Sequence, residues 1–158
     1  TKMIKNVHQM SIVDIDLFNV INELIENNNS EEFKNLLKHP IYTPNENKNW
    51  SIRYAATLNK YEIVKLLLND SRVNPSVDQD IAIIKAIQNN NIETVKLLIK
   101  YKKIDLSSHI IHLFNQNNIE MALLLFVDMK IKKDLKKHDI NLFNKLNKLD
   151  IKNEVLSF

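Results

Sequence analysis

The sequence predicts an all-α solenoid of four to five helix–turn–helix repeats. Three observations support this prediction. Similar strings recur 31 positions apart, as Glu62 and Glu93 do, apolar residues keep helical spacing inside each string, and an asparagine occupies the turn of every copy. Because one such unit cannot bury its apolar face alone, neighbouring units are expected to stack around a shared core.

The repeat is clearest in the middle of the chain, where each copy holds a short first helix and a leucine-rich second helix. The first-helix strings are IRYAA at 52–56, IIKAI at 83–87 and IIHLF at 110–114. The second-helix strings are YEIVKLLL at 61–68, IETVKLLI at 92–99 and IEMALLL at 119–125. The third copy follows the second after only 27 positions, so the loop before it is expected to be shorter.

Weaker copies flank this centre. Residues 21–25 and 32–37 resemble a first unit, and 140–143 followed by 150–156 resembles a truncated last unit or cap. The predicted arrangement is a single domain, 1–158, whose repeats and terminal partial unit cover 16–49, 50–79, 80–108, 109–138 and 139–158.

Within the second helices, Ile63, Val64 and Leu67 share one face and leave Glu62 and Lys65 on the other. The first helices carry small residues, such as Ala55, Ala56 and Ala86, which allow neighbouring helices to approach closely. Each helix pair is therefore expected to be amphipathic and closely stacked.

The turn between the two helices is the most informative position, because the residue that ends a helix commonly adopts a left-handed conformation. Glycine usually fills this position, but the chain contains none. Asparagine tolerates that conformation best among the other residues. The equivalent positions are assigned to Asn29, Asn59, Asn90 and Asn117, and positive φ is expected at the last three.

Composition excludes several classes of chemistry. The absence of glycine rules out Gly-rich phosphate-binding loops, and the absence of cysteine rules out disulfides, thiolate nucleophiles and Cys-ligated zinc. The sequence contains no run of about 18 apolar residues, so no membrane span is predicted. The chain starts at Thr1, which suggests a fragment or a processed product. A cytoplasmic location fits the lack of cysteine.

Candidate catalytic and metal-binding residues have simpler structural explanations. Among the five histidines only His109 and His112 are spaced to share a helix face, and two ligands do not make a metal site. Glu62, Glu93 and Glu120 recur in the first turn of second helices, where a negative charge favours the helix dipole. We therefore expect no cofactor, no metal and no enzymatic activity.

These residues resemble ankyrin repeats. The segment 52–68 is similar to the helix pair of that family, with its two alanines, its turn residue, its glutamate and its leucine run. The continuation 68–76 resembles the divergent repeats of amoebae and of giant DNA viruses that infect them. A viral origin would place the protein in the host cytoplasm. The family's Thr-Pro-Leu-His opening is missing, since Trp50–Arg53 and Ile81–Ile84 stand there.

The resemblance implies a monomeric protein-binding scaffold that recognises a partner protein through a concave face formed by the first helices. The candidate contact residues on that face are Trp50, Arg53, Tyr54, Thr57, Leu58, Lys85, Gln88, Asn89, His112, Asn115 and Gln116. No small-molecule substrate is expected.

Trp50 lies close to Arg53 and Tyr54 and is the candidate anchor for the partner, because aromatic and arginine side chains are common interface anchors. The alternative is that Trp50 only packs over Pro44 and its loop.

A second functional hypothesis concerns the basic end of the array. The lysines there are Lys130, Lys132, Lys133, Lys136 and Lys137, and they could bind nucleic acid or another acidic surface. No arginine or aromatic residue is interleaved with them, and a solvated loop is the simpler interpretation. Protein binding is therefore preferred to nucleic-acid binding.

Overall fold

The computed structural model describes the backbone of residues 12–156, and all the regular structure in that range is helical. Ten α-helices and one 3₁₀ turn follow one another along the chain. They are α1 (Ile12–Glu26), α2 (Ser30–Lys38), α3 (Glu46–Thr57), α4 (Tyr61–Leu68), α5 (Val77–Gln88), α6 (Ile92–Leu98), a 3₁₀ turn (Ile99–Tyr101), α7 (Ser107–Asn115), α8 (Ile119–Phe126), α9 (Met129–His138) and α10 (Ile140–Leu156). The predicted all-α repeat fold is confirmed.

The helices group into two compact units, Thr1–Lys103 and Ile104–Phe158. In the first unit, α1, α3 and α5 are the first helices of successive repeats and pack in that order, while α2, α4 and α6 form the second layer. Its core includes Ile52 and Ile63, which are fully buried. Ala55 and Ala86 are also fully buried, so the small residues of the first helices lie where α3 and α5 meet.

The turn asparagines adopt the expected left-handed conformation. The φ angles are 55° at Asn59, 56° at Asn90 and 59° at Asn117. The residue after each of them donates its backbone N–H to a carbonyl five positions earlier, over 2.8–2.9 Å. This bond is the helix-ending pattern that a left-handed residue permits, and the predicted repeat register is therefore confirmed in the middle of the chain.

In the first repeat the assigned turn residue was wrong by one position. Asn28 has φ 53°, whereas Asn29 has φ −79° and is the N-cap of α2. Its side-chain oxygen accepts a hydrogen bond from the backbone N–H of Glu32, as N-cap asparagines commonly do. Three consecutive asparagines made the two roles indistinguishable by residue type alone.

Two short left-handed turns precede the right-handed parts of α3 and α5. Residues 47–49 and 78–80 all have φ between 49° and 59°. In the third copy the positive-φ residues are absent between the cap Leu106 and the buried Ile110. The shorter loop that the sequence predicted is therefore mainly the loss of this three-residue turn.

Each left-handed turn ends in a buried polar side chain that holds the following loop. Asn49 Oδ1 accepts a 2.7 Å hydrogen bond from the backbone N–H of Asn74, and Asp80 Oδ2 accepts one of 2.8 Å from that of Lys103. The two side chains are 5% and 1% exposed. These bonds tie the start of one repeat to the loop before the next, in a chain that lacks the Thr-Pro-Leu-His opening.

The second unit differs from the expected helix boundaries at its end. Residues 140–143 followed by 150–156 were expected to form a truncated last unit or a cap, and α10 is one continuous helix that begins at Ile140. No residue within α10 has positive φ, and Leu142 and Leu146 are buried one turn apart, so no turn separates the two segments. Helix α9 packs on α7, and α10 packs on α8. In the final repeat, α9 therefore occupies the position of the first helix and α10 that of the second helix.

The lysine-rich segment forms helix α9, so its interpretation as a solvated loop was wrong. The Asp128 side chain accepts hydrogen bonds from the backbone N–H groups of Lys130 and Ile131, both over 3.0 Å, and so caps the helix. Ile131 and Leu135 are fully buried, and their spacing gives α9 an apolar side that the high lysine content hides in the sequence.

Candidate functional site

The first helices of the first unit bring eight of the eleven candidate residues together, six on α3 and α5 and two, Leu58 and Asn89, at the C-caps of these helices. This group, named the α3–α5 face, consists of Trp50, Arg53, Tyr54, Thr57, Leu58, Lys85, Gln88 and Asn89. Asn89 Nδ2 donates a 3.2 Å hydrogen bond to the backbone carbonyl of Thr57, which joins the C-terminal ends of the two helices. Lys85, Gln88 and Asn89 are exposed, and Leu58 is 37% exposed.

Trp50 and Tyr54 form a stacked pair on α3. Their ring centroids lie 4.9 Å apart with an interplanar angle of 16°, and both side chains are half-buried. Trp50 also lies 6.1 Å from the Phe18 ring, and its Nε1 donates a 3.3 Å hydrogen bond to Asn22 Oδ1. The aromatic and hydrogen-bond partners of Trp50 thus come from α1 and α3, and its role as an anchor for a partner stays a prediction.

Tyr54 connects the same stack to the end of α1. Its hydroxyl group donates a 2.5 Å hydrogen bond to Glu26 Oε1. This bond stabilises the protonated phenol beside a carboxylate and raises the pKa of Tyr54 above its usual value. The tyrosine ring is therefore held in one orientation, which reduces the entropy that binding a partner would cost.

Arg53 has an internal role that the sequence did not reveal. Its Nη2 donates a 2.9 Å hydrogen bond to the carbonyl of Asn47, in the left-handed turn, and its Cζ lies 5.8 Å from the Trp50 ring centroid. Its Nε is buried without a hydrogen-bond partner in the described part of the chain. A change at Arg53 would therefore alter the fold locally as well as any partner contact.

The remaining candidates lie in the second unit, His112 and Asn115 on α7 and Gln116 at its C-cap. All three side chains are exposed. They occupy the same repeat positions as the residues of the α3–α5 face, and their contribution to partner binding stays a prediction.

The recurrent glutamates lie where the sequence placed them, at the start of the second helices. Glu93 lies in the first turn of α6 and forms a 2.7 Å ion pair with Lys96, three residues on. Glu62 and Glu120 occupy the first turns of α4 and α8. All three glutamates are exposed, so the helix-dipole explanation accounts for their recurrence.

Sequence reasoning missed a set of polar contacts between successive repeats. The Asn91 side chain is buried, and its Nδ2 donates to the carbonyls of Ala56 and Thr57 over 2.8 and 3.2 Å. The Thr94 hydroxyl donates a 2.9 Å hydrogen bond to Asn59 Oδ1. These bonds add side-chain donors to the carbonyls at the end of α3 and join the second repeat to the third.

His109 and His138 of the second unit lie in different surroundings. In the region that the structure describes, no group of three or more potential ligands is placed to hold a metal ion. His109 Nδ1 is buried without a hydrogen-bond partner in that region, and His138 Nε2 lies 3.6 Å from Asp105 Oδ2. Burial, and then the nearby charge of His112, lower the pKa of His109 below its usual 6.5, while Asp105 acts in the opposite direction.

We expect His109 to make the stability of the fold depend on pH. Its native pKa is lower than its unfolded pKa, so the unfolded chain binds more protons, and the free energy of unfolding should fall as the pH drops below about 6.5. His109→Gln should reduce this loss between pH 7.5 and pH 5.5, as measured by urea denaturation. Substitution of the exposed His39 by Gln is the control, and an equal reduction there would contradict the assignment to His109.

The geometry defines a class of protein: a stack of helix pairs with buried inter-repeat contacts and a partly aromatic surface on the first helices. Two overlapping matches to the family model described as ankyrin repeats (3 copies) cover residues 21–110 and 52–139. The chain therefore belongs to the ankyrin-repeat family. Comparison with curated proteins and comparison with solved structures gave no significant match.

Ankyrin repeats are in general protein–protein interaction modules, and proteins built from them are typically non-enzymatic scaffolds. Protein partners are accordingly the class of ligand that the family indicates. In the described residues no helix is both long enough and apolar enough to cross a bilayer.

Proposed function

We propose that the protein is an interaction scaffold that binds a partner protein through the α3–α5 face. The observation that carries the proposal is the Trp50–Tyr54 stack, half-buried and fixed by Asn22 and Glu26 on α1. Large aromatic side chains held in one orientation provide contact area at low entropic cost, which is why they are common at the centres of interfaces.

The surroundings of the stack fit the rim of a protein interface. Leu58 extends the apolar area along α3, and Lys85, Gln88 and Asn89 supply exposed polar groups on α5. An apolar centre with a polar edge is the usual anatomy of protein interfaces. In this proposal the protein acts as a monomer, without a cofactor or enzymatic activity. Its proposed location is the cytoplasm, which is the host cytoplasm if the protein is viral.

The test separates binding from folding by leaving Arg53 unchanged, because Arg53 supports the left-handed turn. Lys85→Glu combined with Gln88→Glu changes two exposed side chains on the α3–α5 face. We expect at least a tenfold lower affinity, about 1.4 kcal/mol, for a partner isolated by pull-down and measured by biolayer interferometry.

The matched control changes two exposed residues of a second helix by the same total charge, with Lys34→Glu and Asn35→Glu on α2. This variant should keep the wild-type affinity within twofold. Equal losses in the two variants, or no loss in the α5 variant, would place the interface elsewhere and overturn the proposal.

A further inference from the structure

Helix α9 carries five lysines, and the fold divides them into two groups. Lys132 lies 2.7 Å from Asp150 and 4.7 Å from the centre of the Phe126 ring, and Lys136 lies 5.7 Å from the centre of the Phe143 ring. These two lysines therefore contact α8 and α10 inside the second unit. The other three, Lys130, Lys133 and Lys137, are exposed and make no side-chain ion pair or hydrogen bond within the described residues.

The three remaining lysines form a continuous strip along the helix. Their spacing of three and four residues places them on one side of α9, opposite the buried Ile131 and Leu135. At a rise of 1.5 Å per residue, the strip spans about 10 Å from Lys130 to Lys137. This surface, named the α9 lysine strip, is a fixed row of three positive charges on a helix whose other side is anchored in the core.

The surroundings of the strip favour a protein over a nucleic acid as its ligand. Residues 104–158 contain eight lysines, no arginine and seven carboxylates, so the unit lacks the excess of positive charge that phosphate backbones favour. Lysines cover Phe126 and Phe143, which removes those rings as stacking platforms for bases.

We propose that the α9 lysine strip binds an acidic helical segment of a partner protein. A second helix has the same rise per residue as α9, so Asp or Glu residues at positions i, i+3 and i+7 can face Lys130, Lys133 and Lys137 in register. The strip is separate from the α3–α5 face, and the proposal does not depend on binding there.

The probe is a fluorescein-labelled 15-residue alanine-based peptide with three glutamates at i, i+3 and i+7, titrated with the full chain at low salt by fluorescence anisotropy. We expect saturable binding, weakened at least tenfold by Lys130→Gln, Lys133→Gln and Lys137→Gln together, since three charge pairs are lost. The control is Lys34→Gln, Lys38→Gln and Lys65→Gln, three exposed lysines on α2 and α4, which should change affinity less than twofold.

A charge exchange keeps the test informative if the triple variant is poorly folded. Lys133→Glu should weaken binding of the glutamate peptide, and a peptide whose central glutamate is replaced by lysine should recover it. Absence of binding by the wild-type chain, equal losses in the control variant, or no recovery after the exchange would each overturn the proposal. Tighter binding of a single-stranded oligo-dT of equal charge would also overturn it, in favour of nucleic acid.

Discussion

Phe126→Ala is expected to lower the free energy of unfolding by about 3–5 kcal/mol, the usual cost of removing a buried aromatic ring. Phe126 is fully buried at the end of α8. Its ring meets Phe143 of α10 edge to face, with centroids 5.6 Å apart, and Lys132 of α9 lies over it. The substitution therefore removes contacts with both helices that follow α8 at once.

Urea denaturation followed by circular dichroism at 222 nm measures this loss. Phe126→Leu is the control, because leucine keeps most of the apolar volume and should cost roughly 1–1.5 kcal/mol. A loss below about 1 kcal/mol for Phe126→Ala would contradict the packing of α9 and α10 around this ring. Faster amide hydrogen exchange in α9 and α10 of the alanine variant would support it directly.

The middle of the fold was predictable because its information is local. Each second helix carries its own apolar spacing, and each turn carries an asparagine whose short polar side chain tolerates positive φ. Asn59, Asn90 and Asn117 could be assigned because the strings of the three middle copies align. Three asparagines are adjacent at 27–29 and again at 89–91, so residue type alone does not separate the cap from the turn residue. Alignment with the neighbouring copies singled out Asn90, whereas the weaker first copy was assigned one position too late.

The end of the array was less predictable because its lysines concealed an amphipathic helix. Ile131 and Leu135 are buried, and few apolar positions among five lysines give a weak periodic signal. The lysine side chains themselves extend the packing, as Lys132 does over Phe126. Residues 140–156 were predicted as a truncated unit or a cap, and they form the single helix α10.

The residues of the candidate site were placed on the correct helices, but their partners were not foreseen. Asn22 and Glu26 reach Trp50 and Tyr54 from 28 positions away in the chain. Nothing in the local sequence of α1 indicates these bonds, because they depend on how α1 packs against α3. Such long-range contacts decide which of the candidate residues are available to a partner and which, like Arg53, are committed to the fold.

Asp80→Leu is expected to cost about 3 kcal/mol for two reasons that act at one position. Asp80 has φ 59°, and a bulky apolar residue in the left-handed region costs roughly 1–2 kcal/mol. The substitution also removes the acceptor of the Lys103 backbone N–H, which costs a further 1–3 kcal/mol or so when the group stays buried. Chemical denaturation of the variant at pH 7 measures the sum.

Asp80→Asn separates these causes from the effect of charge. Asparagine already stands at the equivalent position of the preceding repeat, where Asn49 has φ 55° and accepts the bond from Asn74. Asp80→Asn should therefore cost less than about 1 kcal/mol, since both the backbone conformation and the acceptor are retained. If the two variants were equally destabilised, the negative charge of Asp80 would be the important property, and the equivalence of the two left-handed turns would not hold.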